Sequence, residues 1–191
     1  YENIKKLTNS KNIYNFGYMF PKFPKNNSAE SKKHFKIINN KNFFLITFHP
    51  NTVEGKHATI KEMNNLLLAL EKYSKNFNLV FTYPNTDMYN EIIIKKIKLF
   101  QKKYKNIKIF ENLGRFYPLY LKHTSLIIGN SSSGVYEAPF YNRISINIGS
   151  RQEGRQFSES VISVAGNFKK ITKAIDKGLK LNLNKKINKF Y

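Results

Sequence analysis

The segment GNSSSGVYEAPF (129–140) sets three consecutive serines and a glycine just after an apolar run, with one carboxylate, Glu137, five residues beyond Ser132. Small hydroxyl residues at the start of a helix let the backbone approach a ligand closely. The unpaired amides there suit phosphate. Asn130 or Ser131 is the expected N-cap, and Ser131, Ser132, Ser133 and Gly134 read as a diphosphate cradle. Glu137 lies too far along to cap. A carboxylate in that position suits the hydroxyls of a ribose attached to the same phosphate. An ordinary helix cap followed by an exposed glutamate leaves the same local pattern. No GK[ST] follows, so the segment is not a Walker loop.

Three further segments carry chemistry. In FHPNTVEG (48–55), His49 precedes Pro50 where an apolar run ends. A histidine there can donate to phosphate or act as acid or base near neutral pH, or simply pack at a turn. Thr52 is a weaker candidate for the same ligand. In GSRQEGRQ (149–156), Arg151 and Arg155 suit bidentate binding of phosphate or carboxylate, as a surface loop also would, and Gln152 lies between them. In ENLGRFYPLYL (111–121), a glycine and aromatics could hold a flat base or could pack a helix onto a sheet. His34, His49, His57 and His123 lack zinc-ligand spacing, cysteine is absent, and no nucleophile elbow occurs. No metal and no cofactor are expected.

These segments need strands to position them. Short apolar runs at 43–48, 78–83, 106–110, 125–129 and 144–149 predict five strands. Between them, Ile60, Met63, Leu66, Leu67, Leu70 and Tyr73, then Ile93, Ile97, Phe100 and Tyr104, recur at helical spacing. Shorter helices are expected at 117–122 and 132–139, and a last one at 168–181. Strands that read as continuous apolar runs between helices indicate a parallel sheet covered on both faces. In such sheets ligands bind outside the carboxyl ends of the strands. All the candidate segments fall at those ends. Residues 1–42, with FGYMFPKFPKNN (16–27), read as loop or linker, and 181–191 as a basic tail.

The chain has 191 residues, 41% of them hydrophobic, enough for one substantial core. No apolar run is long enough to span a membrane, and the polar start is no signal peptide. The start at Tyr1 instead of Met leads us to expect a piece of a longer protein. The absence of cysteine fits a cytoplasmic setting. The net charge of +21 suggests an anionic partner. Lysines dispersed without a stripe are equally the mark of a solvated surface in a chain rich in Lys, Asn and Ile.

FHPNT, ENLGRFYPLYL, GNSSSGVYEAPF and INIGSRQEGRQ together, in this order and spacing, resemble the UDP-N-acetylglucosamine 2-epimerase family over about residues 43–180. HPNT and NSSSG stand where the non-hydrolysing branch typically has HRREN and DSGG, which favours the hydrolysing branch. The resemblance implies an α/β fold: a three-layer Rossmann-like domain with a parallel sheet, the carboxyl-terminal half of a GT-B type fold, at residues 43–180. It implies that Ser131 and Ser132 contact the UDP phosphates, that Glu137 holds the ribose, and that Tyr117 or Phe116 lies by the uracil. Ser133, Gly134 and Gln152 complete the implied UDP contacts. Arg151 would line the cleft near the diphosphate and the sugar, and His49 would assist UDP departure. The family reaction eliminates UDP in anti fashion and adds water to a glycal-like intermediate. It inverts the second carbon and releases an N-acetylmannosamine-type sugar. The family's proton-moving carboxylates sit mostly in an amino-terminal domain that this chain lacks. Alone, the chain is expected to bind UDP weakly and to catalyse nothing. Residues 1–42 would be the interdomain connection. The partners implied are a UDP-sugar, the missing domain and a second copy in a homo-oligomer, with neither nucleic acid nor membrane. A GT-B glycosyltransferase with a UDP-sugar donor, and a basic nucleic-acid-binding domain, are the alternatives.

Overall fold

The computed structural model of the chain describes residues 11–14, 28–39 and 42–181. The stretch 16–27 and the tail 182–191 lie outside them. The elements in order are helix α1 (Ala29–Asn39), strand β1 (Phe43–Thr47), α2 (Gly55–Glu71), β2 (Asn78–Thr82), α3 (Asn90–Lys103) and β3 (Ile107–Phe110). A 3₁₀ turn (Gly114–Phe116), α4 (Tyr117–His123), β4 (Leu126–Gly129) and the short α5 (Ser132–Tyr136) follow. A second 3₁₀ turn (Ala138–Tyr141), β5 (Ser145–Ile148), β6 (Val161–Val164) and α6 (Phe168–Lys180) complete the fold.

Among the described residues the strands form one sheet, in the order β3-β2-β1-β4-β5-β6, every pairing parallel. This is the doubly wound Rossmann order. The two-residue period of a strand sends alternate side chains to opposite faces. Phe44, Ile46 and Phe48 therefore enter a core with Met63, Leu66, Phe100, Ile171 and Ile175, under α2, α3 and α6. Phe43 and Leu45 enter the other, with Ile38, Phe116, Leu119 and Tyr120, under α1, α4 and the first 3₁₀ turn. The sheet is thus sandwiched between two helical layers, as the apolar runs predict.

Two elements go beyond the sequence reading. The stretch 1–42, read as linker, contains α1. This helix is lysine-rich, but its few apolar residues pack on the sheet. His34 stacks on Phe116 with ring centroids 4.1 Å apart, and its Nδ1 hydrogen-bonds the Tyr120 hydroxyl at 3.0 Å. The edge strand β6 was also missed. Its half-exposed VISV is broken by a serine, and only pairing with β5 holds it extended.

Candidate functional site

Chain reversal in a doubly wound sheet leaves a crevice where the two central strands turn to opposite sides. Here that seam lies between β1 and β4, paired from Phe44↔Leu126 to Thr47↔Gly129. Gly129 sits at its carboxyl end with φ +139°, and a Cβ there would stand 1.9 Å from the Thr47 carbonyl oxygen. Only glycine allows the two backbones to pass so closely.

Asn130, just beyond, is 1% exposed. Its Oδ1 accepts from the His49 amide at 2.6 Å and its Nδ2 donates to the His49 carbonyl at 2.8 Å. One side chain thus fixes both peptide groups of His49. The cap of α5 is Ser131, whose Oγ accepts from the Ser133 amide at 3.4 Å. Of the two residues expected for the cap, Ser131 takes it, and Asn130 locks the seam instead.

A cavity of ≈ 690 Å³ opens over these strand ends. His49 reaches it from β1, and Asn85 and Asp87 from the loop after β2. Glu111, Asn112 and Tyr117 come from the segment after β3, and Ser131, Ser132, Ser133 and Glu137 from the one after β4. Four strand ends supply the walls. Thr47 and Thr82, hydroxyl to hydroxyl at 2.5 Å, line it between the strands. Tyr117 donates its hydroxyl hydrogen to Ser133 Oγ at 2.7 Å, joining the aromatic wall to the serine wall. Glu137 caps the carboxyl end of α5. That helix has only five residues, so its dipole is slight. Any anion grip rests on the hydroxyls and the few amides of the turn.

His49 is 5% exposed, and its Nδ1 accepts from the Asn85 amide at 3.1 Å. The neutral ring then carries its hydrogen on Nε2. Burial, and secondarily the Arg151 guanidinium, push its pKa down to about 4, against the pull of Asp87. At neutral pH the ring is an uncharged donor.

Arg151 donates to the Asn130 carbonyl at 3.2 Å and faces Asp87 at 3.7 Å. It is not itself a lining residue of the cavity but is tied to one, Asp87, a carboxylate that sequence reasoning passed over. Three expected contacts fall elsewhere. Gln152 is fully buried and donates to the Asn130 carbonyl at 2.7 Å, supporting the turn from behind. Gly134 packs against β5, where a Cβ would stand 2.5 Å from Ser145 Oγ. Phe116 is buried beneath His34, so of the two expected aromatics Tyr117 is the one that lines the cavity, where Tyr83 joins it. Arg155 lies over the Tyr136 ring at 5.3 Å. Asn85 and Asp87 gave no sequence signal, and Asn130 signalled only a cap, because their roles depend on strand ends far apart in the chain.

The sequence model of a family described as UDP-N-acetylglucosamine 2-epimerase matches residues 2–191. Among curated proteins, the GDP/UDP-N,N'-diacetylbacillosamine 2-epimerase (hydrolyzing) of Campylobacter jejuni is 37% identical over 159 residues, covering 80% of this chain and 41% of that protein. The UDP-N-acetylglucosamine 2-epimerase of Neisseria meningitidis is 31% identical over 81% of this chain and 40% of its own length. The chain therefore spans about two fifths of the length of these relatives. Among solved structures, the Methanocaldococcus jannaschii UDP-GlcNAc 2-epimerase in complex with UDP-GlcNAc and UDP superposes with a TM-score of 0.60 at 23% identity. That match covers 80% of this chain and 43% of that one, a likeness of fold.

Proposed function

This chain belongs to the UDP-N-acetylglucosamine 2-epimerase family, and from that premise we propose that the cavity over the β1–β4 seam binds the UDP part of a UDP-N-acetylated hexosamine. The observation that carries the reading is the convergence of His49, Tyr117, the serine turn and Glu137 from three strand ends on one space of ≈ 690 Å³. Ser131, Ser132 and Ser133 donate to the diphosphate. Glu137 accepts from the ribose hydroxyls, and Tyr117 flanks the uracil. Gln152 and Gly134 shape the turn behind them. Residues 43–180 form the nucleotide-binding unit, and residues 1–42 lead in from a preceding domain.

For the parent protein we propose the hydrolysing reaction, a reading supported by the name of the Campylobacter relative. A base removes the hydrogen at the second carbon while the bond from the anomeric carbon to UDP breaks, leaving the electron pair on the diphosphate oxygen. Water then adds across the new double bond. Hydroxyl goes to the first carbon and hydrogen to the opposite face of the second, giving free N-acetylmannosamine-type sugar and UDP. His49 and Arg151 serve the departing diphosphate. The neutral imidazole donates through Nε2, and the approaching anion favours its charged form, so donor strength rises as negative charge develops. Arg151 exchanges Asp87 for phosphate oxygens. The bases acting on the sugar belong to the rest of the protein, so this chain alone turns nothing over.

A thermal-shift titration with UDP tests the reading, with UMP and ATP for comparison. UDP at a hundredfold excess over its Kd stabilises the fold by roughly 2.7 kcal/mol. Glu137→Ala weakens UDP about ten- to a hundredfold, the loss of hydrogen bonds to a charged acceptor, and leaves inorganic diphosphate nearly unchanged. A parallel fall of both ligands removes the ribose role.

A further inference from the structure

A second concavity, of ≈ 530 Å³, opens at the carboxyl ends of β5 and β6, lined by Glu54, Glu62, Asn147, Ser150, Glu153 and Phe157 together with glycine, alanine, serine and valine. It shares no residue with the cavity over the seam. The chain has 33 basic residues against 12 acidic ones, so a random wall would favour lysine. Yet three glutamates line this space and no lysine, arginine or histidine does.

Glu62 gives the cluster its meaning. It projects from α2 and is 8% exposed, and its Oε2 is buried without a hydrogen-bond partner among the described residues. It is wedged against glycine backbone, where a Cβ on Gly149 or Gly166 would stand 2.6 or 2.3 Å from its Oε1. Burial, and then the nearby Glu54 carboxylate, hold its carboxyl above the usual range. A carboxylate so far out of water is uncompensated until a cation or a proton meets it. The other polar groups are already arranged. Ser150 donates its hydroxyl hydrogen to Glu54 Oε1, and Asn147 donates to Ser163 Oγ at 2.9 Å. The half-buried Phe157 offers a ring of the kind that attracts cationic nitrogen. Among the described residues, no three His, Asp or Glu side chains are placed to hold a metal ion, and the space is many times larger than a bare ion needs.

We propose that this cavity binds a small organic cation, an ammonium or guanidinium head set among Glu62, Glu54 and Glu153 with its carbon stem along Phe157. The head has the same chemistry on a free alkylamine as on a lysine or arginine side chain.

The full chain is titrated by calorimetry, at constant ionic strength, with 1,5-diaminopentane, methylguanidinium, N-acetyl-lysine amide and N-acetyl-arginine amide, and with Mg²⁺ as a control. Saturable binding of at least one of the organic cations is expected. Tighter binding of the acetylated amino acid amides assigns the head to a polypeptide side chain, and tighter binding of the free bases assigns it to a metabolite. Glu62→Gln lowers the affinity at least tenfold and leaves the urea midpoint unchanged or raised, since it relieves a buried charge. Glu153→Gln, at the exposed rim, weakens binding about threefold in a fold left intact. Failure of every organic cation to saturate, equal binding by both variants and wild type, or Mg²⁺ binding more tightly than the organic cations would overturn the proposal.

Discussion

Gly129→Ala is expected to remove more than about 4 kcal/mol of stability, or to prevent folding outright. The added methyl carbon would stand 1.9 Å from the Thr47 carbonyl oxygen and 2.7 Å from its carbon. Both are backbone atoms of β1, so no side chain can swing away. The φ of +139° adds strain for any residue with a Cβ. Relief means parting β1 from β4, which breaks the Thr47↔Gly129 register and the 3.2 Å bond from the Asn130 amide to the Thr47 carbonyl. The contrast is Gly154→Ala, at φ +78° in open space, which costs about 1 kcal/mol from backbone strain alone. Urea unfolding of the two variants against wild type measures the difference. A Gly129→Ala loss as small as the Gly154→Ala loss would mean that the strand ends separate freely.

Acidification from pH 7 to pH 4.5 is expected to weaken the fold through His49. The unfolded chain binds a proton at this residue near pH 6.5, whereas the folded chain resists until about pH 4. Between those values the unfolded state carries the extra proton, so stability falls as pH falls, while above pH 6.5 this residue changes nothing. The full separation corresponds to about 3 kcal/mol, most of it lost by pH 4.5. Carboxylates titrate over the lower part of the same range, so the measured quantity is the difference in slope between wild type and His49→Gln. The variant is less stable at pH 7, because the Asn85 amide loses its acceptor, and its profile is flatter between pH 6.5 and 4.5. Parallel profiles would place the imidazole in contact with water.

The central architecture was legible because β1, β2 and β4 are mostly apolar, β5 alternates isoleucine with small polar residues, and α2 and α3 show clear helical stripes. A strand buried on both faces has no polar alternative to disguise it. Strand β6 escaped because an edge position tolerates serine and half exposure. Helix α1 escaped because Phe35, Ile37 and Ile38 are few among lysines and only the finished sheet gives them a surface. At the cavity, His49, Tyr117, Ser131 and Glu137 could be found by position, since each follows a strand end. Asn85 and Asp87 could not, nor could the part that Asn130 plays. An asparagine that holds both peptide groups of a histidine 81 residues away leaves no local mark. Gln152 and Gly134 mislead for the converse reason: they stand within motif segments but face the packing behind the turn.

The sheet order divides the domain into two windings, β1-β2-β3 and β4-β5-β6, each built from successive strands. Within the sheet, among the described residues, they are joined by the pairing of β1 with β4, which closes a loop running from Phe44 to Leu126, and α2 packs on α6 across the same seam. Loop closure over that span is costly in entropy and slow, so the halves can condense locally before they dock. The large cavity takes walls from both. An occupant therefore acts as a rivet between the two modules, and its grip is felt most when they begin to peel apart. Such an occupant prolongs the lifetime of the native state by retarding separation and does little to hasten assembly.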